Sequence, residues 1–91
     1  KSGILKGIEN SGGMHNLELD SAQPDVSHVR LDFPDGSSLY FPARNISGNV
    51  IQLDNDPGFS MDNGGKIRFY TFPHNEYSEP VRYTVFSKSI Q

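Results

Sequence analysis

Strict alternation of apolar and charged residues, running straight into a turn, is the feature that most constrains this chain. In Val29-Arg30-Leu31-Asp32-Phe33 the odd positions are apolar and the even positions are charged, which is the period-2 pattern of a strand with one buried face. Pro34-Asp35-Gly36 follows at once, and its proline presets φ while its glycine accepts the positive φ that closes a three-residue hairpin loop. We therefore predict a β-hairpin whose second strand buries Leu39, Phe41 and Ala43.

Turn signals divide the rest of the chain into short segments of the same kind. Further strands are predicted over residues 50–53, 66–72 and 81–88, with breaker-rich loops between them. In the last strand, Val81, Tyr83 and Val85 share one face, and the residues between them take the other. Pro42 has no amide donor, so we expect a sheet edge or a bulge at that point of the hairpin.

These strands predict an all-β fold with little or no helix, because no stretch shows a sustained apolar stripe at helical spacing. Six or seven short strands favour a small antiparallel β-barrel, and an immunoglobulin-like β-sandwich is the alternative because it gives the same alternation. The 91 residues make one small domain. Its β core spans residues 26–88, and residues 1–25 form either a weakly defined N-terminal extension or the first strands.

Composition removes several classes of function. The chain has no cysteine and a net charge of −3, so thiolate chemistry is excluded and a DNA or RNA partner is not expected. No apolar run approaches the roughly 20 residues that span a bilayer, so we expect no membrane insertion. The three histidines lack metal-site spacing, and Ser47 lacks the GxSxG context of a hydrolase. We therefore expect a protein that is not an enzyme.

Two groups of polar residues are candidates for binding. Asp54, Asp56 and Asp62 lie in loops that could offer oxygen ligands to calcium, although such loops also form simply because Asp and Asn favour turns. The second group alternates with the presumed core and forms the predicted recognition surface: Arg44, Asn45, Ser47, Arg68, Tyr70 and Arg82. Its arginines would supply charge-assisted hydrogen bonds. Tyr70, and Tyr40 if it also faces outward, would stack on a ring of a ligand.

The order of these motifs resembles the PilZ family's small β-barrel over residues 26–88. The hairpin runs into Asn45-Ile46-Ser47, and Ile51-x-Leu53, a Gly64-Gly65 turn and Ile67-x-Phe69 follow. In that family a hairpin leads into a [DN]xSxxG motif, whose first two defined positions match Asn45 and Ser47. The resemblance implies binding of the bacterial second messenger cyclic di-GMP, and transmission of that signal to a partner in the bacterial cytoplasm.

The chain departs from the PilZ pattern at two places. Val50 stands where the motif ends in glycine, and its side chain would hinder close approach of a phosphate or base. The RxxxR arm that clamps phosphates has no counterpart, because only Lys1 and Lys6 precede the barrel as basic residues. Lysine does not replace that planar fork. The resemblance therefore implies a degenerate member that mediates protein–protein contact rather than nucleotide binding.

We thus expect a binding module whose partner is another protein or the remainder of a multidomain chain. The first alternative is an extracellular immunoglobulin-like or carbohydrate-binding sandwich of a surface or secreted protein, with calcium or glycan at the Asp/Asn loops. The second is a structural or assembly domain that pairs through the edge of the Pro42-bearing strand.

Overall fold

The computed structural model describes residues 2–61, 67–69, 76–77 and 80–87, and within these ranges it contains nine strands and no helix. In chain order the strands are β1 Ser2–Ser11, β2 Met14–Leu19, β3 His28–Asp32, β4 Ser38–Ser47, β5 Val50–Leu53, β6 Phe59–Met61, β7 Ile67–Phe69, β8 Glu76–Tyr77 and β9 Arg82–Phe86. In the part of the chain so described, no helix is long and apolar enough to cross a membrane.

Six of these strands form a closed antiparallel barrel in the order β1-β2-β5-β4-β3-β9, and a separate three-stranded sheet has the order β6-β7-β8. The prediction of an all-β barrel is confirmed, and the sandwich alternative is wrong because β9 pairs with β1 and closes the sheet on itself. The first two strands come from the segment with the weakest sequence pattern. They form two of the six strands of the barrel.

Two ten-residue strands of the barrel divide their length between their two neighbours. The first half of β4 pairs with β3 and its second half with β5, and β1 divides in the same way between β9 and β2. A bulge follows in each strand, between Leu5 and Gly7 in β1 and between Asn45 and Ser47 in β4. Bulges bend a strand and increase its twist, which lets it turn from one neighbour to the next.

Pro42 marks the point where β4 changes partner, and our prediction of an edge or bulge there is wrong. It is in register with His28 of β3, and its carbonyl accepts a hydrogen bond from the amide of Asp54 at 3.2 Å. The ladder continues past the proline, because the amide of Ala43 donates to the carbonyl of Ser27 at 3.1 Å. Along the strand, β4 pairs with β3 up to Pro42 and with β5 from Ala43 onward, and the assembly alternative stays a prediction.

The apolar residues of the predicted alternating strands are buried in the interior of the barrel. Val29, Leu31 and Phe33 are buried from the first hairpin, and the fully buried Tyr83 faces them from β9. The hairpin closes as expected, with the amide of Phe33 donating to the carbonyl of Ser37 at 2.9 Å and Gly36 at φ +93°. The ring of Phe33 also meets Phe59 edge to face at 5.7 Å, which ties the small sheet to the barrel core.

A polar cluster joins the loop after β2 to β9, which lies on the other side of β1 in the barrel. The Tyr83 hydroxyl donates to Asp20 Oδ1 at 2.6 Å and accepts from the buried Gln23 Nε2 at 3.3 Å, while the amide of Ile4 donates to Asp20 Oδ2 at 3.0 Å. The hydrogen bond from Tyr83, followed by that from Ile4, lowers the pKa of Asp20. Burial, followed by the bond to Asp20, raises the pKa of Tyr83.

Candidate functional site

Three predicted contact residues, Arg44, Asn45 and Ser47, lie at the end of β4, next to the turn that leads into β5. Asn45 Nδ2 donates to the carbonyl of Gly48 at 2.9 Å and lies 3.5 Å from that of Val50, and Gly48 has a φ of +54°. The amide of Asn45 therefore holds its own turn together. Ser47 is exposed beside it.

Arg44 is oriented by a neutral partner. Its Nε and Nη2 donate to Gln52 Oε1 at 3.2 and 3.0 Å, across the strand pair in which the two residues are in register. Because Gln52 is uncharged, this contact fixes the direction of the guanidinium without cancelling its positive charge. Arg44 is exposed and available to an acidic group.

The predicted recognition surface does not come together as one site. Arg82 is in register with Asp32, which pairs in turn with Ser38 at the beginning of β4. Arg44 lies six residues further along that strand, or about 20 Å at the usual rise per residue. Only the backbone of Arg68 is described, and Tyr70 lies outside the described residues.

The acidic loops offer no assembled calcium site in the described ranges. Asp56 Oδ1 accepts a hydrogen bond from the amide of Gly58 at 2.8 Å, the local turn for which aspartate is favoured. Asp54 is exposed, and Asp62 is not among the described residues. Throughout the described residues, no three His, Cys, Asp or Glu side chains are grouped closely enough to hold a metal ion.

The two histidines within the described ranges each form a local hydrogen bond. His15 Nδ1 lies 2.9 Å from Asn10 Oδ1, and His28 Nδ1 lies 2.8 Å from Ser27 Oγ. Each partner is close in sequence and at the surface, an arrangement that fixes a loop or strand end. His74 lies outside the described residues.

An exposed aromatic pair dominates the outer side of β9, β3 and β4. Tyr40 is 62% exposed and Phe86 is 38% exposed, and their rings stack with centroids 6.3 Å apart and planes at 26°. They project from the two strands that flank β3, where Tyr40 is in register with Arg30 and Phe86 with His28. We call this surface, defined by Tyr40, Phe86 and Arg30, the aromatic face.

Arg30 is fixed within the aromatic face by neighbours on both sides. Its Nε lies 3.1 Å from Asp32 Oδ1, and its Nη2 donates to Thr84 Oγ1 at 3.2 Å. A hydrogen bond with Tyr40, and after it the charge of Asp32, raises the pKa of Arg30 above its ordinary value. Arg30, at the centre of β3 between the two strands that carry the rings, is thus already positioned.

The outer side of β1, β2 and β5 has a different character. A cleft of about 230 Å³ is lined there by Gly7, Ile8, Glu9, Asn16, Glu18 and Val50. Cross-strand register assembles it, because Glu9 lies opposite Asn16, and Glu18 lies between Gly7 and Val50. We call this surface the acidic cleft. Because β2 and β3 are three strands apart in a ring of six, it lies across the barrel from the aromatic face.

Asn16 is the unusual residue of the acidic cleft. Its side chain is only 7% exposed, yet its Oδ1 has no hydrogen-bond partner among the residues that the structure describes. Buried polar groups are nearly always paired, because leaving an acceptor unpaired costs about 1–3 kcal/mol. Within the described part of the chain, this acceptor is therefore left without a donor.

The sequence pattern did not single out Phe86, Arg30, Glu9, Asn16 or Glu18 as site residues. The alternation of side chains along β2 could have located two of them. Asn16 and Glu18 alternate with the core residues Leu17 and Leu19 and so must face outward.

Comparison of the chain with protein-family models, with curated proteins and with solved structures gives no match. The class that the structure defines is a small all-β protein with a closed six-stranded antiparallel barrel. Its function is therefore argued from its own surfaces.

Proposed function

We propose that this barrel is a non-enzymatic protein-interaction module and that the aromatic face is its contact surface. The observation that carries the proposal is the stacked pair of Tyr40 and Phe86, which remains exposed while fifteen apolar residues of the described ranges form a buried core. Tyrosine, phenylalanine and arginine are enriched at protein interfaces, and a few such residues supply most of the binding energy. A protein partner would cover rings that the fold itself leaves in water.

The rigidity of the aromatic face supports this proposal. Both rings project from strands paired with β3, and Arg30 on β3 is held by Asp32 and Thr84. Side chains that are already ordered lose little conformational freedom on binding, so more of the contact energy appears as affinity.

The proposal includes the PilZ-like interpretation in its degenerate form. Asn45 and Ser47 lie at the end of β4, which leads into β5 of the six-stranded barrel. Three features of the site favour protein contact over cyclic di-GMP. Asn45 uses its amide in its own turn, Val50 takes the place of the last motif glycine, and Glu18 opposite Val50 would repel a phosphodiester.

The nucleotide part of the proposal is tested by titrating the isotope-labelled protein with cyclic di-GMP. We expect no change in the amide signals of residues 44–50. Saturable shifts confined to that hairpin would show that the nucleotide binds despite the missing arginines.

The protein-contact part is tested by replacing Tyr40 with a photo-crosslinking phenylalanine analogue, identifying the captured protein, and measuring its affinity for the purified barrel. Tyr40→Ala and Phe86→Ala should each weaken that affinity at least tenfold, since interface aromatics of this kind contribute about 2 kcal/mol or more. Met14→Ala is the matched control, because Met14 is 46% exposed but lies on β2, across the barrel. Equal effects of all three changes, or no effect of any, would refute the assignment of the contact surface.

A further inference from the structure

The acidic cleft carries a second inference, which does not depend on the aromatic face. We propose that the cleft binds the guanidinium group of an arginine side chain from a partner. The argument rests on Asn16, on the carboxylates of Glu9 and Glu18, and on the size of the cleft.

The unpaired oxygen of Asn16 requires a hydrogen-bond donor. Asn16 Oδ1 is buried in the wall of the cleft without a partner in the described part of the chain. A carboxylate or phosphate ligand would bring only acceptors to this oxygen and would leave it unpaired. The ligand must therefore donate N–H or O–H groups.

The two glutamates give the cleft its charge preference. Glu9 lies directly opposite Asn16, and Glu18 is two residues further along the same strand as Asn16, so their Cβ atoms are diagonal neighbours about 7–8 Å apart. Both are exposed and can turn their carboxylates toward a common ligand. A cation placed between them meets opposite charge on two sides.

Guanidinium fits this arrangement better than the other cations. It is planar and carries five donors, so it can serve Asn16 and two carboxylates at once, whereas an ammonium is a compact, strongly hydrated charge. Calcium requires six to eight oxygens, and the described residues bring only these two carboxylates to the cleft. The volume of about 230 Å³ accommodates one side chain. Val50 is placed to contact its methylenes.

The test is a titration of the isotope-labelled protein with blocked arginine (N-acetyl-arginine methylamide). We expect saturable shifts at the side-chain amide of Asn16 and at the backbone amides of Gly7, Glu18 and Val50. The matched ligand is blocked citrulline, which keeps the shape and loses the charge, and it should bind at least fivefold more weakly. No shift with arginine, or equal affinity for citrulline, would overturn the proposal. Equal affinity for blocked lysine would overturn the assignment to guanidinium.

Charge-matched variants locate the site. Glu9→Gln and Glu18→Gln should each weaken arginine binding about two- to fivefold, as expected for partly exposed ion pairs, and Asn16→Leu should weaken it at least as much. Asp54→Asn removes the same charge outside the cleft lining and should leave the affinity unchanged. If Asp54→Asn weakens binding as much as Glu18→Gln, only the net charge matters and the cleft is not the site. The dispersion of the spectrum of each variant shows that it is folded.

Discussion

The aromatic face and the acidic cleft lie on opposite sides of one barrel. The first leaves aromatic rings exposed, and the second leaves a buried polar atom without a hydrogen-bond partner. On the aromatic face the polar groups are joined to one another, with Arg30 bonded to Asp32 and Thr84, and the rings are left exposed. In the acidic cleft Ile8 and Val50 are half-buried, and a buried oxygen of Asn16 is left without a partner among the described residues. The first surface offers a partner exposed aromatic surface to cover. The second offers hydrogen bonds and charge.

The two walls share one core, and this separates stability from recognition. Side chains alternate along each strand, so every outward residue on either wall has neighbours that face the interior. Changes at inward positions should therefore damage both surfaces together, and changes at outward positions should damage only one. The predictions below test this separation.

The largest effect is expected from Leu17→Ala. Leu17 is fully buried and lies on β2 between Asn16 and Glu18. Deleting its side chain should lower the free energy of unfolding by about 2–5 kcal/mol, because lost burial and a new cavity add together. Guanidinium chloride unfolding measures the change, and the exposed Met14 on the same strand provides the control. Met14→Ala should stay within about 0.5 kcal/mol of wild type. Similar losses for the two variants would mean that β2 has no distinct inward face.

The second largest loss of stability is expected at the hydrogen bond between Tyr83 and Asp20, which connects the side of the barrel that carries the aromatic face to the side that carries the acidic cleft. The Tyr83 hydroxyl on β9 donates to Asp20, which follows β2. Tyr83→Phe keeps the ring and removes this bond, so we expect a loss of about 1–3 kcal/mol, the range for an unmet hydrogen bond. Hydrogen exchange should accelerate at the amide of Ile4, which also bonds Asp20. Faster exchange throughout the β4–β5 hairpin instead would show that the contact supports the whole barrel rather than one junction.

The fold could be predicted from the sequence as far as the faces of its strands. The alternation from Val29 to Phe33 and from Val81 to Val85 states correctly which side chains are buried. It does not state which strands pair, because register and partner depend on residues far apart, such as Gly3 opposite Tyr83. The local rule for Pro42 failed for the same reason, since barrel closure decides where β4 meets each neighbour.

The candidate site was harder to predict than the fold. Arg44, Asn45 and Ser47 do lie together on one hairpin, but the amide of Asn45 serves its own turn. Arg82 shares its strand parity with Phe86 and is distant from that hairpin. The alternation of side chains along the strand could place Asn16 and Glu18 on the outer side of the barrel. Only cross-strand register brings Glu9 beside them.

A smaller effect should appear as a pH dependence of the free energy of unfolding, caused by Asp20 at its contact with Tyr83. Because the folded state lowers the pKa of Asp20 below its ordinary value of 3.8, the stability that Asp20 contributes is present above this pH. It is lost as the pH falls through the folded pKa. We compare urea unfolding of wild type and Asp20→Asn from neutral pH to below 3.8. Wild type should be the more stable at neutral pH, and the difference should shrink on acidification. A difference that is constant with pH would mean that the charge of Asp20 has no role.

The smallest effect is expected from Asn16→Leu, and its sign is informative. Replacing an unpaired buried amide with an apolar side chain removes a desolvation cost, so the free energy of unfolding should be unchanged or higher by up to about 1 kcal/mol. Gln23→Leu is the matched change, because Gln23 is 3% exposed and its Nε2 donates to Ser21 Oγ and the Tyr83 hydroxyl. That variant should lose about 1 kcal/mol. Urea unfolding distinguishes the two. An equal loss in both would mean that Asn16 is already paired in solution, and the acidic cleft would then need no donor from a partner.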